Sequence, residues 1–298
     1  VFDQLWQYEQ LFLDAQGLMH WEILPDGSGP TANGKGAATD GDEDMAFALL
    51  WADKRWGGKG SLATSYRDLA LKQIDLIWKY EVDHALDETL MPGDQFPNGA
   101  AIVNISYFAP AYYRLFGVAS GKQAEWNKVV ESSYAILAAT LNDANKNTTN
   151  GLVPAWSTPA GVPKAPNASL PVHHQLDSSR TPFRLGQDYC WYGEPRARAY
   201  LAKINAFYQQ IGATSIANGY DLDGTPHPTN PTVNQSAAFT GPAGVGAMSD
   251  VAFAPLRDGA YAGVATLKQL DGSIYYTESW TGLSLVMMNG GYWNPAAK

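Results

Sequence analysis

Apolar residues recur at helical spacing along most of this chain. In residues 42–55, for example, Met45, Leu49 and Ala52 follow one another at spacings of four and three, which places them on one face of a helix. Candidate strands are short and confined to two stretches, 18–24 and 101–105. The pattern predicts helices over residues 2–14, 42–55, 62–81, 107–118, 122–142, 180–192, 194–211, 235–248, 251–269 and 276–289. The fold class that follows is all-α.

Long connections rich in Gly, Pro and Asn separate these helices. They span residues 22–39, 82–106, 145–179 and 216–234. None of them reads as a linker between domains, so we predict a single domain over residues 1–298. Because long loops on a helical scaffold often carry function, we expect the functional residues there.

Composition limits the kinds of molecule that the protein is expected to bind. The formal net charge of −9 argues against nucleic acid or an anionic membrane, both of which need basic surfaces. Cys190 is the only cysteine, which excludes a disulfide within the chain and a cysteine-based metal site. No run of 18 apolar residues occurs, so no membrane span is predicted. We predict neither a metal nor a cofactor.

Aromatic residues are abundant, with ten Trp, sixteen Tyr and ten Phe beside only 16% charged residues. Two interpretations are open. The rings fill an aromatic core, or some of them line a groove in which flat rings stack on sugars.

Four acidic residues fall within five positions at the predicted N-terminus of one helix. Asp42, Glu43 and Asp44 stand in or near its predicted first turn, where backbone N–H groups and the helix dipole favour negative charge. We interpret these three mainly as a helix start. Asp40 is predicted to lie before the helix, behind a Gly-Ala-Ala lead, where a carboxylate can face a cleft.

Eight segments together resemble glycoside hydrolase family 8 and occur in the family's order over nearly the whole chain. They are GLMHW at 17–21, GAATDGDEDMA at 36–46, LWADKRWG at 50–57, PGD at 92–94, NISYFAPAYY at 104–113, GLVPAW at 151–156, DSSR at 177–180 and DYCWYG at 188–193. The resemblance implies an (α/α)6 barrel whose loops form a substrate cleft at one end. It also implies inverting hydrolysis of β-1,4-linked glycans.

The sequence predicts about ten or eleven helices, whereas such a barrel has twelve, so even the higher count falls one short. The family's general acid is a Glu in a Ser-Glu-Gly-x-x-Tyr-Gly-Met stretch on the first helix, and residues 1–298 contain no such stretch. We therefore expect a barrel that is incomplete at its N-terminus over these residues. Either the acid-bearing helix precedes Val1 in the full-length protein, or the protein lacks that helix and its acid.

The resemblance also assigns two carboxylates. Asp177 matches the general base of the family's Asp-x-x-Arg segment, and Arg180 can pair with it and keep it ionised. From the residues alone, Asp177 could instead be a helix N-cap. Asp40 matches an Asp that binds the sugar at the cleaved bond and helps to distort its ring.

Five aromatic residues match positions that contact substrate in the family. Trp21 matches a stacking Trp, and Tyr107 matches a Tyr close to the catalytic water. Phe96 stands where relatives often carry a platform Trp, after Gln95 in place of their Arg. Tyr276 and Trp280 match late aromatic contacts. Core packing stays open as the alternative for each ring.

The predicted function is that of a secreted, monomeric bacterial endo-β-1,4-glucanase acting on cellulose or related β-glucans. The stretch at 33–41 is similar to the xylanase branch, so an endo-β-1,4-xylanase is the alternative within the family. Asp177 disfavours the chitosanase branch. A hypothesis of another class is a glycan-binding chain without catalysis, because the general acid is missing from residues 1–298.

Overall fold

The structure, a computed structural model, describes residues 1–96, 99–228, 236–266 and 274–297. Helices dominate these residues, and each of the four strands has only two residues. The helices are α1 (Phe2–Glu9), α2 (Thr39–Trp56), α3 (Tyr66–Tyr80), α4 (Pro110–Ser120), α5 (Gln123–Thr140), α6 (Leu176–Ser179), α7 (Thr181–Tyr192), α8 (Pro195–Ile211), α9 (Ala237–Ala247), α10 (Ala254–Val264) and α11 (Ile274–Met288). The all-α prediction is confirmed.

The strands form two small antiparallel pairs. β1 (Val82–Asp83) pairs with β2 (Thr89–Leu90), and β3 (Val103–Asn104) pairs with β4 (Trp156–Ser157). The strand predicted at 101–105 is therefore present as β3. The strand predicted at 18–24 is wrong, because that stretch makes only isolated bridges, Leu13 with Met19 and Ile23 with Pro30.

Two predicted helix ends differ from the structure because side chains capture the backbone. α1 ends at Glu9 rather than at residue 14, since the Asp14 carboxylate accepts hydrogen bonds from the backbone N–H groups of residues 16–18 and turns the chain. α3 begins at Tyr66 rather than at residue 62. Its N-cap is Ser65, whose hydroxyl oxygen accepts a hydrogen bond from the Asp68 N–H at 3.1 Å. The parts of the 235–248 and 251–269 predictions that fall on residues 235 and 267–269 lie outside the described residues.

The chain's packing divides it into two compact units, each described by itself. The first comprises Val1–Ala101 and Tyr112–Ser132. Its core combines the α2–α3 pair with aromatic rings: Phe47 stacks on Tyr112 at 4.6 Å between ring centroids, and Phe116 packs edge-on against Trp126 at 5.3 Å. The aromatic-core interpretation is confirmed for these rings.

The second unit comprises Ile102–Ala111 and Ser133–Ala297. Its central element is α9, whose eleven residues are all buried and which packs against α7, α8, α10 and α11. Small residues allow this close approach. A Cβ atom on Gly246 would lie 3.0 Å from Pro182 Cβ, tighter than ordinary packing permits. The single-domain expectation stays a prediction.

Within the described part of the chain, no helix combines the length and the apolar character that crossing a bilayer requires.

Candidate active site

The eight predicted site residues divide between the two units. Three lie in the first unit and five in the second. The first group is Trp21, Asp40 and Phe96; the second is Tyr107, Asp177, Arg180, Tyr276 and Trp280.

Asp40 lies inside the first turn of α2, so the prediction that it precedes the helix is wrong. The helix begins one residue earlier, at Thr39, after the extended N-cap Ala38. Thr39 is anchored by its backbone N–H to the Pro92 carbonyl at 3.2 Å and by its hydroxyl to the Met91 carbonyl at 2.7 Å. These contacts fix the start of the helix and with it the place of the half-buried Asp40.

The acids that follow Asp40 do more than start a helix. Asp42 stands in the first turn as predicted, but both Asp42 and Glu43 are buried, which corrects the interpretation of them as helix-start acids alone. Asp42 Oδ1 accepts a hydrogen bond from Gln73 Nε2 at 2.7 Å, and Glu81 Oε1 lies 3.0 Å from the Thr39 hydroxyl. α3 and the residue after it therefore hold the turn that carries Asp40.

Burial and neighbouring charges raise the pKa of the carboxyls in this network. Burial raises the pKa of Glu81 well above its usual range, and the neighbouring charge of Asp42 adds to the rise. Burial also raises the pKa of Asp42, with the Glu9 carboxylate as the next cause. The Thr39 hydroxyl has one hydrogen to donate, and its contact with the Met91 carbonyl is shorter than its contact with Glu81 Oε1. Glu81 also forms a side-chain hydrogen bond with Asp42, which counteracts part of the rise in the Asp42 pKa.

Glu81→Gln is expected to make folding stability less dependent on pH. Because the pKa of Glu81 is raised in the folded chain, its contribution is complete in acid and is lost as the pH rises through the folded pKa. Glutamine keeps a neutral donor at every pH. Between the ordinary pKa of a glutamate and the folded pKa of Glu81, the free energy of unfolding of the wild type should therefore fall relative to that of the variant. The fall should be up to about 1.4 kcal/mol per pH unit.

Urea unfolding at several pH values between 5 and 9 measures this difference. Glu125→Gln, at an exposed position in the first turn of α5, is the matched control and should follow the wild type. A constant offset between Glu81→Gln and the wild type at all pH values would show that Glu81 is ionised in the folded protein.

The segment before α2 is held by hydrogen bonds that the side chains of Trp21 and Asp94 make to its backbone. The indole N–H of Trp21 donates to the Asn33 carbonyl at 2.9 Å, and 51% of the residue is exposed, which leaves surface for stacking. Gly36 has a φ of +80°, and a Cβ there would lie 3.1 Å from Asp94 Oδ1. That same oxygen accepts the Ala37 N–H at 2.7 Å. Phe96 is half-buried after the turn at Gly93.

In the second unit, Asp177 and Arg180 form the predicted ion pair. Asp177 lies in the short helix α6, whose N-cap is Gln175, so the N-cap alternative for Asp177 is wrong. Arg180 Nη2 lies 3.4 Å from Asp177 Oδ1. The Asp177 side chain keeps 33% of its surface exposed, whereas that of Arg180 keeps 9%. The largely buried Arg180 guanidinium thus contacts a carboxylate that is partly open to solvent.

Arg180 is itself held from the loop before α4. Its Nε donates to the Ser106 hydroxyl at 3.2 Å, and its guanidinium carbon lies 5.1 Å from the centre of the Tyr107 ring. The Ser106 hydroxyl donates to Asn104 Oδ1 at 2.8 Å. Asn104 and Ser106 are buried, and the sequence analysis gave them no role. Two polar residues inside an otherwise apolar motif are the signal that could have found them.

The two late aromatic residues have different surroundings. The Tyr276 hydroxyl donates to the Leu176 carbonyl at 3.4 Å, next to Asp177. Trp280 is only 6% exposed and packs edge-on against Phe183 at 5.3 Å. Core packing therefore accounts for Trp280 as it stands, and its contact with sugar stays a prediction. Among the described residues, no group of three or more His, Cys, Asp or Glu is arranged to hold a metal ion.

Comparison with known proteins decides the family. The family model described as "Glycosyl hydrolases family 8" matches residues 1–291. The chain belongs to glycosyl hydrolases family 8. The resemblance drawn from the eight sequence segments is confirmed.

Curated relatives in this family are named for glucan hydrolysis. Endoglucanase A of Acetivibrio thermocellus is 33% identical over 299 residues, which cover 99% of this chain and 59% of that protein. Endoglucanase 2 of Ruminiclostridium josui is 35% identical over 249 residues, covering 84% of this chain and 50% of that protein. The chain thus spans about half to three fifths of their length. More distant relatives are named reducing-end xylose-releasing exo-oligoxylanases.

A solved family 8 structure supports the fold. The apo structure of a β-1,3-1,4-glucanase from Paenibacillus sp. X4 aligns with a TM-score of 0.86 and 26% identity, covering 98% of this chain and 77% of that one. The prediction of an (α/α)6 barrel fold is confirmed by this likeness together with the helical structure.

Proposed function

We propose that the protein hydrolyses β-1,4 bonds in cellulose or related β-glucans with inversion at the anomeric carbon, and that Asp177 is the general base. The observation that carries the proposal is the partly exposed Asp177 carboxylate backed by the buried Arg180, in a chain of this family. A base must be reachable by water, and the exposed part of the Asp177 carboxylate allows this.

In the proposed reaction, Asp177 removes a proton from a water as the water oxygen bonds to the anomeric carbon. The bond from that carbon to the leaving oxygen breaks on the opposite side, and the general acid protonates the leaving oxygen. In the family this acid is the Glu of a Ser-Glu-Gly-x-x-Tyr-Gly-Met stretch, which residues 1–298 do not contain. Asp40 is assigned to the sugar at the cleaved bond, and Trp21, Phe96, Tyr107 and Tyr276 to substrate contacts.

The glucan assignment is supported by the two endoglucanase relatives, which are identical to this chain at 33% and 35% of the aligned positions over most of its length. Xylan is the second candidate, supported by the exo-oligoxylanase relatives and by the 33–41 stretch. Because either polymer is too large to cross a membrane, we also propose that the protein is secreted from a bacterium. We propose that it acts as a monomer.

Reducing-sugar release tests this function. The full-length protein is incubated with carboxymethyl cellulose, lichenan and xylan, and the binding of cello- and xylo-oligosaccharides is measured in parallel. We expect release from the β-glucans to be at least about tenfold faster than from xylan, a ratio within reach of differences in subsite contacts. Faster release from xylan would favour the xylanase. Oligosaccharide binding without release from any polymer would favour a binding protein and contradict the hydrolase.

A further inference from the structure

Gln175 contacts Asp177 at two points. Its side-chain Nε2 donates to Asp177 Oδ2 at 2.8 Å, and its side-chain Oε1 accepts the Asp177 backbone N–H at 3.2 Å. Gln175 is 6% exposed, so water competes little for either bond. The amide therefore joins the backbone and the carboxylate of the same residue.

Only one orientation of the Gln175 amide makes both contacts. The reversed amide would set its oxygen against the carboxylate and its NH2 group against a backbone N–H, and both contacts would be repulsive. The Gln175 backbone is fixed as well, since its N–H donates to the Ser178 hydroxyl at 3.3 Å in a capping box. The donor that faces Asp177 Oδ2 is thus set before substrate arrives.

The two oxygens of Asp177 have separate partners. Oδ1 faces Arg180 at 3.4 Å, and Oδ2 receives the shorter bond from Gln175. Three other titratable groups lie around this corner. Arg180 packs against the Tyr107 ring, the Tyr276 hydroxyl is bonded to the Leu176 carbonyl, and the buried His174, which precedes Gln175, is bonded to the Val153 carbonyl and the Tyr208 hydroxyl. Among these neighbours, Gln175 is the neutral group that donates directly to the carboxylate.

We propose that Gln175 is a positioning residue for the general base, fixing the rotation of the Asp177 carboxylate. This inference rests on the proposed function, in which Asp177 activates the water. It assigns Gln175 no contact with substrate. Its loss should therefore lower kcat more than it changes KM.

Three substitutions of Gln175 test this role in the full-length protein. Gln175→Glu places a second carboxylate beside Asp177, and we expect the acid limb of the kcat/KM profile to move up by about one pH unit or more. Gln175→Met keeps the volume but removes the donor. Gln175→Asn keeps a favoured N-cap residue but is one methylene too short to make both contacts. Both should lower kcat about tenfold, with KM within about threefold of wild type.

Gln123→Glu, at the exposed start of α5, is the matched control for the added charge and should leave the profile in place. Circular dichroism and melting temperature establish folding, and if the Met variant fails to fold, the Asn variant decides. Folded variants with an unmoved acid limb and wild-type kcat would overturn the role of Gln175. An inactive wild type would instead count against the proposed function.

Discussion

Asp177→Asn is expected to lower kcat for β-glucan hydrolysis by about 10³-fold, within the range that a positioned general base contributes. Asparagine has nearly the same shape and can keep the contact with Arg180, but it cannot take a proton from water. The binding of a cello-oligosaccharide should change little, because the substitution removes chemistry rather than a pocket wall. Initial rates on carboxymethyl cellulose and calorimetric titration of the oligosaccharide measure the two effects.

Rescue of activity by azide is the control for the loss of kcat when Asp177 is substituted. Azide can attack the anomeric carbon without giving up a proton, so it needs no base. The smaller Asp177→Ala variant should therefore regain turnover in azide and form an α-glycosyl azide from the β-linked substrate. If Asp177→Asn retains wild-type kcat, Asp177 is not the base. If azide gives no product with Asp177→Ala, the loss of activity has a structural cause.

Asp40→Asn is expected to have the second largest effect, lowering kcat about 100-fold. A hydrogen bond from the sugar to a carboxylate strengthens as charge develops in the ring, and such contacts contribute several kcal/mol in glycosidases. The first turn of α2 is anchored through Thr39, so the asparagine should stand where the aspartate stood. Steady-state kinetics with a defined cello-oligosaccharide separates the loss in kcat from any change in KM.

Asp44→Asn is the matched control, because Asp44 lies one turn further along the same helix and has no assigned contact with sugar. It should keep most of the wild-type kcat. Equal losses in the two variants would mean that Asp40 acts through the charge of the helix start rather than through the sugar.

The helices could be predicted because their signal is local. A period of 3.6 residues in apolar positions is enough to place α2, α5, α7 and α8 within a few residues, and the spacing of Asp177 and Arg180 is enough to predict their ion pair. The position of Asp40 could not be predicted in this way. The start of α2 is fixed by the bond from Thr39 to Met91, which is 52 positions further along the chain.

The surroundings of single side chains were the least predictable part of the candidate site. Asp42 and Glu43 are residue types that suit a helix start, and their burial depends on partners such as Gln73 and Glu81. No pattern in the sequence predicts the role of Gln175, because that role depends on the orientation of its side-chain amide. Tyr276 and Trp280 lie on the same helix, yet only Trp280 is buried, which is a matter of packing against Phe183.

The anomeric form of the first product tests the central claim most directly. Hydrolysis of a β-1,4-linked cello-oligosaccharide by the full-length protein is followed by proton NMR faster than the product mutarotates. An inverting reaction with Asp177 as the base predicts that the α-anomer at the newly formed reducing end appears first and then relaxes towards equilibrium. Initial accumulation of the β-anomer would contradict the account, since Asp177 would then be attacking the sugar rather than activating water.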